Sequence, residues 1–204
     1  MLLKKFFAVT TVALASIGCA STHAELMTGN PIPVVGNVGD PAKIVELEVE
    51  TKKWKCPNCN TNEQYVLEQL QQKTNISDRN ALASIMGNIK AESGFIPNIC
   101  EGGARVPYHK CLRGGYGLIQ WTTATRYNNL GRFCKKYGCD PSSLKGQTRF
   151  MINEVQFQKL LPEFEGHGFT VAQYMVPSYY WLGWGIKGRR EHYAYDYTKK
   201  LIFA

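Results

Sequence analysis

From Asn62 to Lys73 the chain sets Tyr65, Val66, Leu67 and Leu70 among polar residues at the spacing of one helix face, which predicts an amphipathic helix. The next segment, SDRNALASIMGNIKAESGF, repeats the pattern with Leu82, Ile85, Met86 and Ile89. Ser77 or Asp78 offers its N-cap, Gly94 its stop, and Pro97 keeps the helix from resuming. Residues 98–119 are glycine-rich and lack periodicity, so they read as a long loop or short hairpin, and loops of that length are usually binding elements. Beyond it Trp121 to Tyr137 and Gly146 to Leu161 read as helices, and the aromatic run from Val176 to Phe203 predicts one or two more. Period-two alternation occurs in IVELEVE, where Val45, Leu47 and Val49 oppose Glu46, Glu48 and Glu50 as in a short strand. The expectation is a mainly α fold with a small strand or hairpin element and an N-terminal arm.

The first residues change the picture of the mature chain. Lys4 and Lys5 precede a short apolar run, Phe6 to Ile17, and then small residues, the layout of a secretory signal. The run falls short of the roughly 20 apolar residues that a permanent span needs, and Thr10, Thr11 and Ser16 dilute it, so no stable membrane span is expected. Thr22-His23-Ala24 suits cleavage after Ala24; Ser16-Ile17-Gly18-Cys19 is a weaker lipoprotein signature that would put a lipid on Cys19. Insertion without cleavage, followed by release, is a third reading of the same segment. Residues 25–43 carry Gly29, Pro31, Pro33, Gly36, Gly39 and Pro41 and read as an extended arm. The division is therefore signal 1–24, arm with short strand and C-x-x-C 25–61, and helical catalytic domain 62–204.

The net charge of +8 falls to +6 once a leader holding Lys4, Lys5 and no acids is removed. A surface of that sign associates with anionic polymers. The basic residues are scattered and the chain carries an export signal, so cell-wall carboxylates and phosphates fit better than nucleic acid. Cys56, Cys59, Cys100, Cys111, Cys134 and Cys139 form an even six in an exported chain, which predicts three disulfides without fixing their connectivity. Cys56-Pro57-Asn58-Cys59 has no second C-x-x-C to make a zinc site, and His109, His167 and His192 form no ligand cluster, so neither metal nor cofactor is expected.

The chemistry concentrates at Glu92. It follows Ile89 by three residues and Ile85 by seven, so a helix projects it near the apolar face, at a C-terminus whose partial negative charge disfavours another anion. Desolvation favours the neutral form of a carboxyl, and a neutral carboxyl is what a general acid needs to protonate a glycosidic oxygen. Glu92-Ser93-Gly94-Phe95, preceded by GNIKA and followed by Gly115-Tyr116-Gly117-Leu118-Ile119-Gln120-Trp121-Thr122, resembles the phage tail lysozyme family, closely over Ile85 to Leu130. The Glu-Ser and Gly-Leu-x-Gln pattern is also similar to that of soluble lytic transglycosylases and goose-type lysozymes. The resemblance implies a lysozyme-like α+β fold, Glu92 as catalytic acid and Gln120 as a substrate contact. Gly115 and Gly117 would admit a sugar to the backbone, Tyr116 or Trp121 would lie against a pyranose, and Ser93, Thr122 and Arg126 are further candidate contacts. Glu101 is the preferred second carboxylate, ahead of Asp140, Glu154 and Glu191.

The implied activity is cleavage of the MurNAc-GlcNAc β-1,4 bond of peptidoglycan. The Ala-Tyr-Asn motif of transglycosylases has only Ala194-Tyr195-Asp196 near the C-terminus as a counterpart, which leaves hydrolase and transglycosylase both open. The competing class is a non-catalytic wall-binding or virion structural protein, for which Glu92 would be exposed or locked in an ion pair. An amidase or endopeptidase would instead bring a Cys/His pair or metal ligands into the cleft. The expected partner is peptidoglycan, with phage tail or baseplate proteins as further candidates, and the expected location is exported or virion-associated.

Overall fold

A computed structural model describes residues 53–204. The expected signal, Cys19, residues 25–52 of the expected arm and its Ile44–Glu50 strand lie outside the described residues. The described strands are others: β1 (Trp54–Lys55) pairs antiparallel with β2 (Ile202–Phe203), with Trp54 opposite Phe203. The Trp54 ring lies 5.0 Å from that of Phe203, and its indole N–H donates to the Ser77 carbonyl at 2.7 Å. Cys56 and Cys59 are bonded to each other and buried. Residues 53–61, assigned from sequence to the arm, thus pack as part of the helical body, because strand pairing with the far end of the chain is invisible to local pattern.

Seven α-helices follow among the described residues. Helix α1 (Thr61–Lys73) starts at a reciprocal capping box between Asn60 and Glu63. Helix α2 (Arg79–Ser93) starts at Asp78, whose carboxylate accepts from the N–H groups of Asn80 and Ala81, and stops at Gly94 with φ 61°. Its sequence reads as one-sided, yet every residue from Ala81 to Ile89 is buried. The reason is enclosure by α1 and by two later helices, α6 (Val171–Leu182) and α7 (Arg190–Lys200).

Between them run α3 (Ala124–Tyr137), α4 (Leu144–Asn153) and α5 (Val155–Phe164). The single helix expected over Gly146–Leu161 is two, because Glu154 takes extended backbone (φ −66°, ψ 133°) to reach partners in another element. Helix α6 begins five residues before the expected Val176, at a capping box of Thr170 and Gln173, and tolerates Pro177 in its interior. Trp121, Phe157, Phe164, Trp181 and Tyr197 sit in one core with Leu82 and Ile85. Each such side chain contributes roughly 2–3 kcal/mol by burial.

Helices α2 and α7 cross so closely that a Cβ at Gly87 would come 2.4 Å from the Ala194 nitrogen. Gly87→Val is therefore expected to destabilise the protein by about 3 kcal/mol, since the obstacle is backbone that cannot move aside. An unchanged urea midpoint would mean that this crossing contributes nothing.

The same crossing buries a polar cluster. Glu63 is 3 % exposed. It accepts from the Tyr197 hydroxyl at 2.6 Å, the Asn60 N–H at 2.8 Å and the Lys90 ammonium at 3.0 Å. Burial alone would raise the Glu63 carboxyl, but Tyr197, Asn60 and Lys90 together outweigh it and hold the group below its ordinary range. Burial first, and then the Glu63 carboxylate, push the Tyr197 phenol far up. A lowered carboxyl stabilises the fold above the unfolded carboxylate range and loses that contribution as pH falls through the folded value. Stability should therefore drop as pH is lowered from about 4.5, and drop less in Glu63→Gln. Superimposable pH profiles of urea midpoint for the two proteins would remove Glu63 from the account.

Candidate active site

Glu92 lies in the last turn of α2, one residue before the helix ends, with its side chain 14 % exposed. What holds that turn is the motif around it. The Ser93 hydroxyl donates to the Leu118 carbonyl at 2.8 Å and accepts from the Phe95 N–H at 3.1 Å. Gly94 and Phe95 both adopt positive φ, 61° and 66°, which turns the chain sharply. Phe95 is then buried, and its carbonyl accepts from the Asn62 amide at 2.9 Å. One serine thus ties the helix end that carries Glu92 to the Gly115–Thr122 loop.

The loop is fixed from the other side by Gln147 of α4, which is fully buried. Its carbonyl oxygen accepts from the Leu118 N–H at 2.9 Å, and its amide donates to the carbonyls of Pro97 at 2.6 Å and Pro141 at 2.7 Å. Gly117, φ 74°, has to be glycine here, because a Cβ would meet the Gln147 carbonyl oxygen at 2.3 Å. Gln120 takes φ 50°, a sparsely populated conformation for a residue other than glycine, and donates to the Gly117 carbonyl at 3.0 Å. Bridges pairing Ile99 with Arg105 and Cys100 with Tyr116 give the loop the small hairpin character expected of residues 98–119, and Cys100–Cys111 staples it.

Several candidate contacts are occupied elsewhere. Ser93 is buried and spent on the Leu118 tie. Tyr116 has no exposed surface; its hydroxyl donates to the Val106 carbonyl at 3.0 Å, and its ring packs with Tyr108 and Tyr127. Trp121 is likewise fully buried, against Phe150, so neither ring offers a face to a pyranose. Arg126 makes a two-pronged ion pair with Glu154, 2.6 Å on each arm, and the Trp121 indole reaches the same carboxylate at 3.4 Å. A side chain that looks available in sequence is drawn inward wherever a buried partner needs it. Thr122 is exposed, with its hydroxyl on the Gln120 carbonyl at 2.8 Å. Glu101 is exposed and accepts from the Gly115 N–H at 3.0 Å, which joins it to the start of the Gly-Tyr-Gly segment. Asp140 accepts from the Ser142 N–H and Glu191 pairs with Lys187.

The residue that sequence reasoning missed is Arg190. It opens α7 and places one guanidinium nitrogen 2.6 Å from Glu92 across 98 residues of chain. Its other arm donates to the carbonyls of Ile186 at 2.9 Å and Lys187 at 3.0 Å, and its plane lies 5.0 Å from the Trp184 ring centre. No local signal marks this pairing. Gln147 left one: it shares a helix face with Phe150 and Met151, where a polar residue needs an explanation.

Cys100–Cys111 and Cys134–Cys139 join Cys56–Cys59 to make three local disulfides, so none of the six described cysteines is a thiol. Among the described residues no three His, Cys, Asp or Glu side chains converge on a point where an ion could sit. No helix among them is long and apolar enough to cross a membrane.

A mainly helical body with a glutamate at the end of a buried central helix, tied by Ser93 to a glycine-rich loop, defines a lysozyme-like protein. The sequence pattern of the phage tail lysozyme family matches residues 49–181, and the chain belongs to that family, whose members break down bacterial peptidoglycan. The match covers Glu92, Ser93 and the Gly115–Thr122 loop, and ends before Trp184 and Arg190. No curated protein matches the chain.

Proposed function

We propose that the protein cuts the β-1,4 bond between MurNAc and GlcNAc in the glycan strands, with Glu92 as the general acid. The observation that supports this reading best is the bonding of Ser93 to Leu118, which gives the Glu-Ser and Gly-Leu-x-Gln motifs a joint purpose: they hold one carboxyl at a loop whose backbone is strained at Gln120. Strain of that kind clusters at functional sites. In the free protein Glu92 is ion-paired with Arg190, and an acid must carry a proton when it meets the glycosidic oxygen. A strand that enters between the two displaces Arg190 from the carboxyl and leaves Glu92 facing the glycosidic oxygen. Arg190 remains anchored by Ile186 and Lys187 while this happens.

Glu101, fixed to Gly115, is the carboxylate we assign to water activation in a hydrolase. In a transglycosylase Glu92 alone would serve as acid and then base, with the sugar's own hydroxyl attacking. Gln120 and Thr122 are the remaining contacts we assign to the strand. The setting that fits is phage-associated wall degradation by an exported or virion-carried enzyme.

The ion pair also favours a second reading, a wall-binding or virion structural protein in which the Glu92–Arg190 contact is purely structural. Digestion of purified peptidoglycan, with mass spectrometry of the released muropeptides, separates the readings. Reducing ends mean a muramidase and anhydro ends a transglycosylase. Folded wild-type protein that releases no glycan fragments would leave the structural role.

A further inference from the structure

The C-terminal part of α6 and the segment after it carry aromatic surface that the core does not use. Tyr180 is 60 % exposed and Tyr179 47 %, with Val176 beside them at 54 %. Tyr179 meets Tyr180 and Trp184 edge-on, each at 5.4 Å between ring centres. Together with Met175 and Lys187 these side chains line an open groove of about 320 Å³. Helix-spaced aromatics are usually core, so exposed ones that line a concavity call for an occupant. Trp184 connects this groove to the candidate acid: Arg190 packs on its ring at 5.0 Å and bonds Glu92 at 2.6 Å.

We infer that this groove is a saccharide subsite, which takes the sugar rings of the peptidoglycan strand next to the bond that Glu92 cleaves. A pyranose has an apolar face of C–H groups and a rim of hydroxyls, and exposed tyrosine and tryptophan match it with flat apolar rings that carry polar tips. Lys187 lines the groove and pairs with Glu191, and Arg190, packed on Trp184, pairs with Glu92, so recognition rests on the aromatic faces. The sugar-stacking role that Tyr116 and Trp121 cannot fill from the core thus falls to Tyr180 and Trp184. Beyond Trp181 the groove draws on residues outside the family match, so this half of the site belongs to the chain's own C-terminal segment.

The subsite rests on Glu92 being the acid, and two measurements keep their failures apart. Tyr180→Ala is the clean variant because the side chain is largely exposed; a thermal melt verifies its fold. Trp184→Ala is the second variant, although it also strips the packing from Arg190. In the first measurement the full-length protein digests purified glycan strands, and Tyr180→Ala should raise KM about tenfold with kcat within twofold of wild type. In the second, binding of a β-1,4-linked N-acetylglucosamine hexamer is followed by tryptophan fluorescence in the Glu92→Gln background, and the same substitution should weaken it by a similar factor. An active wild type whose KM and hexamer affinity do not respond to either substitution would overturn the subsite and leave the acid assignment standing. Groove-dependent binding without cleavage would uphold the subsite and defeat the acid assignment. Loss of self-association in Tyr180→Ala with unchanged hexamer affinity would mean that the groove takes a second copy of the chain, and would overturn the proposal.

Discussion

Glu92→Gln is expected to reduce glycan cleavage by about a thousandfold while the protein melts within a few degrees of wild type. The magnitude follows from the role, since a positioned general acid contributes roughly 10²–10⁴ in rate. The amide keeps the shape of the side chain and its hydrogen-bonding capacity but cannot deliver a proton. Little stability should be lost, because Arg190 keeps the Ile186 and Lys187 carbonyls and its packing on Trp184. The loss should fall on kcat, with hexamer binding retained. A variant that keeps a tenth or more of wild-type cleavage would take the acid role away from Glu92.

Arg126→Ala carries the second large effect, and it is one of stability. The side chain was a candidate substrate contact in sequence, yet it holds Glu154, a carboxylate only 5 % exposed, in a two-pronged pair. Removing one partner of such a pair leaves a buried charge without compensation, a change that typically costs about 3–5 kcal/mol. The Trp121 indole at 3.4 Å is too weak a substitute. The consequence should spread, because Glu154 is the joint between α4 and α5, and α4 carries Gln147. A urea midpoint equal to that of wild type combined with a raised KM would return Arg126 to the list of substrate contacts. Arg126→Ala with Glu154→Leu should regain part of the loss, since an apolar pair replaces the orphaned charge.

How much of this was legible beforehand depends on the range of the interaction. The cap at Asp78 and the stop at Gly94 were read because each acts within one turn of chain; the caps Thr123 and Ser143 and the stop Gly138 act over the same range but come from the structure. The break at Glu154 could not be read, because nothing local disfavours a helix there; Arg126 draws the residue out from 28 positions away. The start of α6 was hidden for a different reason. The aromatic run begins only at Val176, whereas the Thr170-x-x-Gln173 capping box ahead of it marks the true beginning.

By itself the sequence determined the helical class and the ends of α2, and it singled out Glu92 as the candidate acid through the Glu-Ser and Gly-Leu-x-Gln spacing. It did so because propensity, capping and motif are properties of neighbouring residues. Only the tertiary structure decided which polar side chains are free for a ligand. Tyr116, Trp121 and Ser93 are consumed by burial and Arg126 by its pair with Glu154, while Arg190 reaches Glu92 because Gly87 lets α7 settle onto α2. Whether a side chain faces water or a partner is set by what packs against it, and that partner can lie anywhere along the chain.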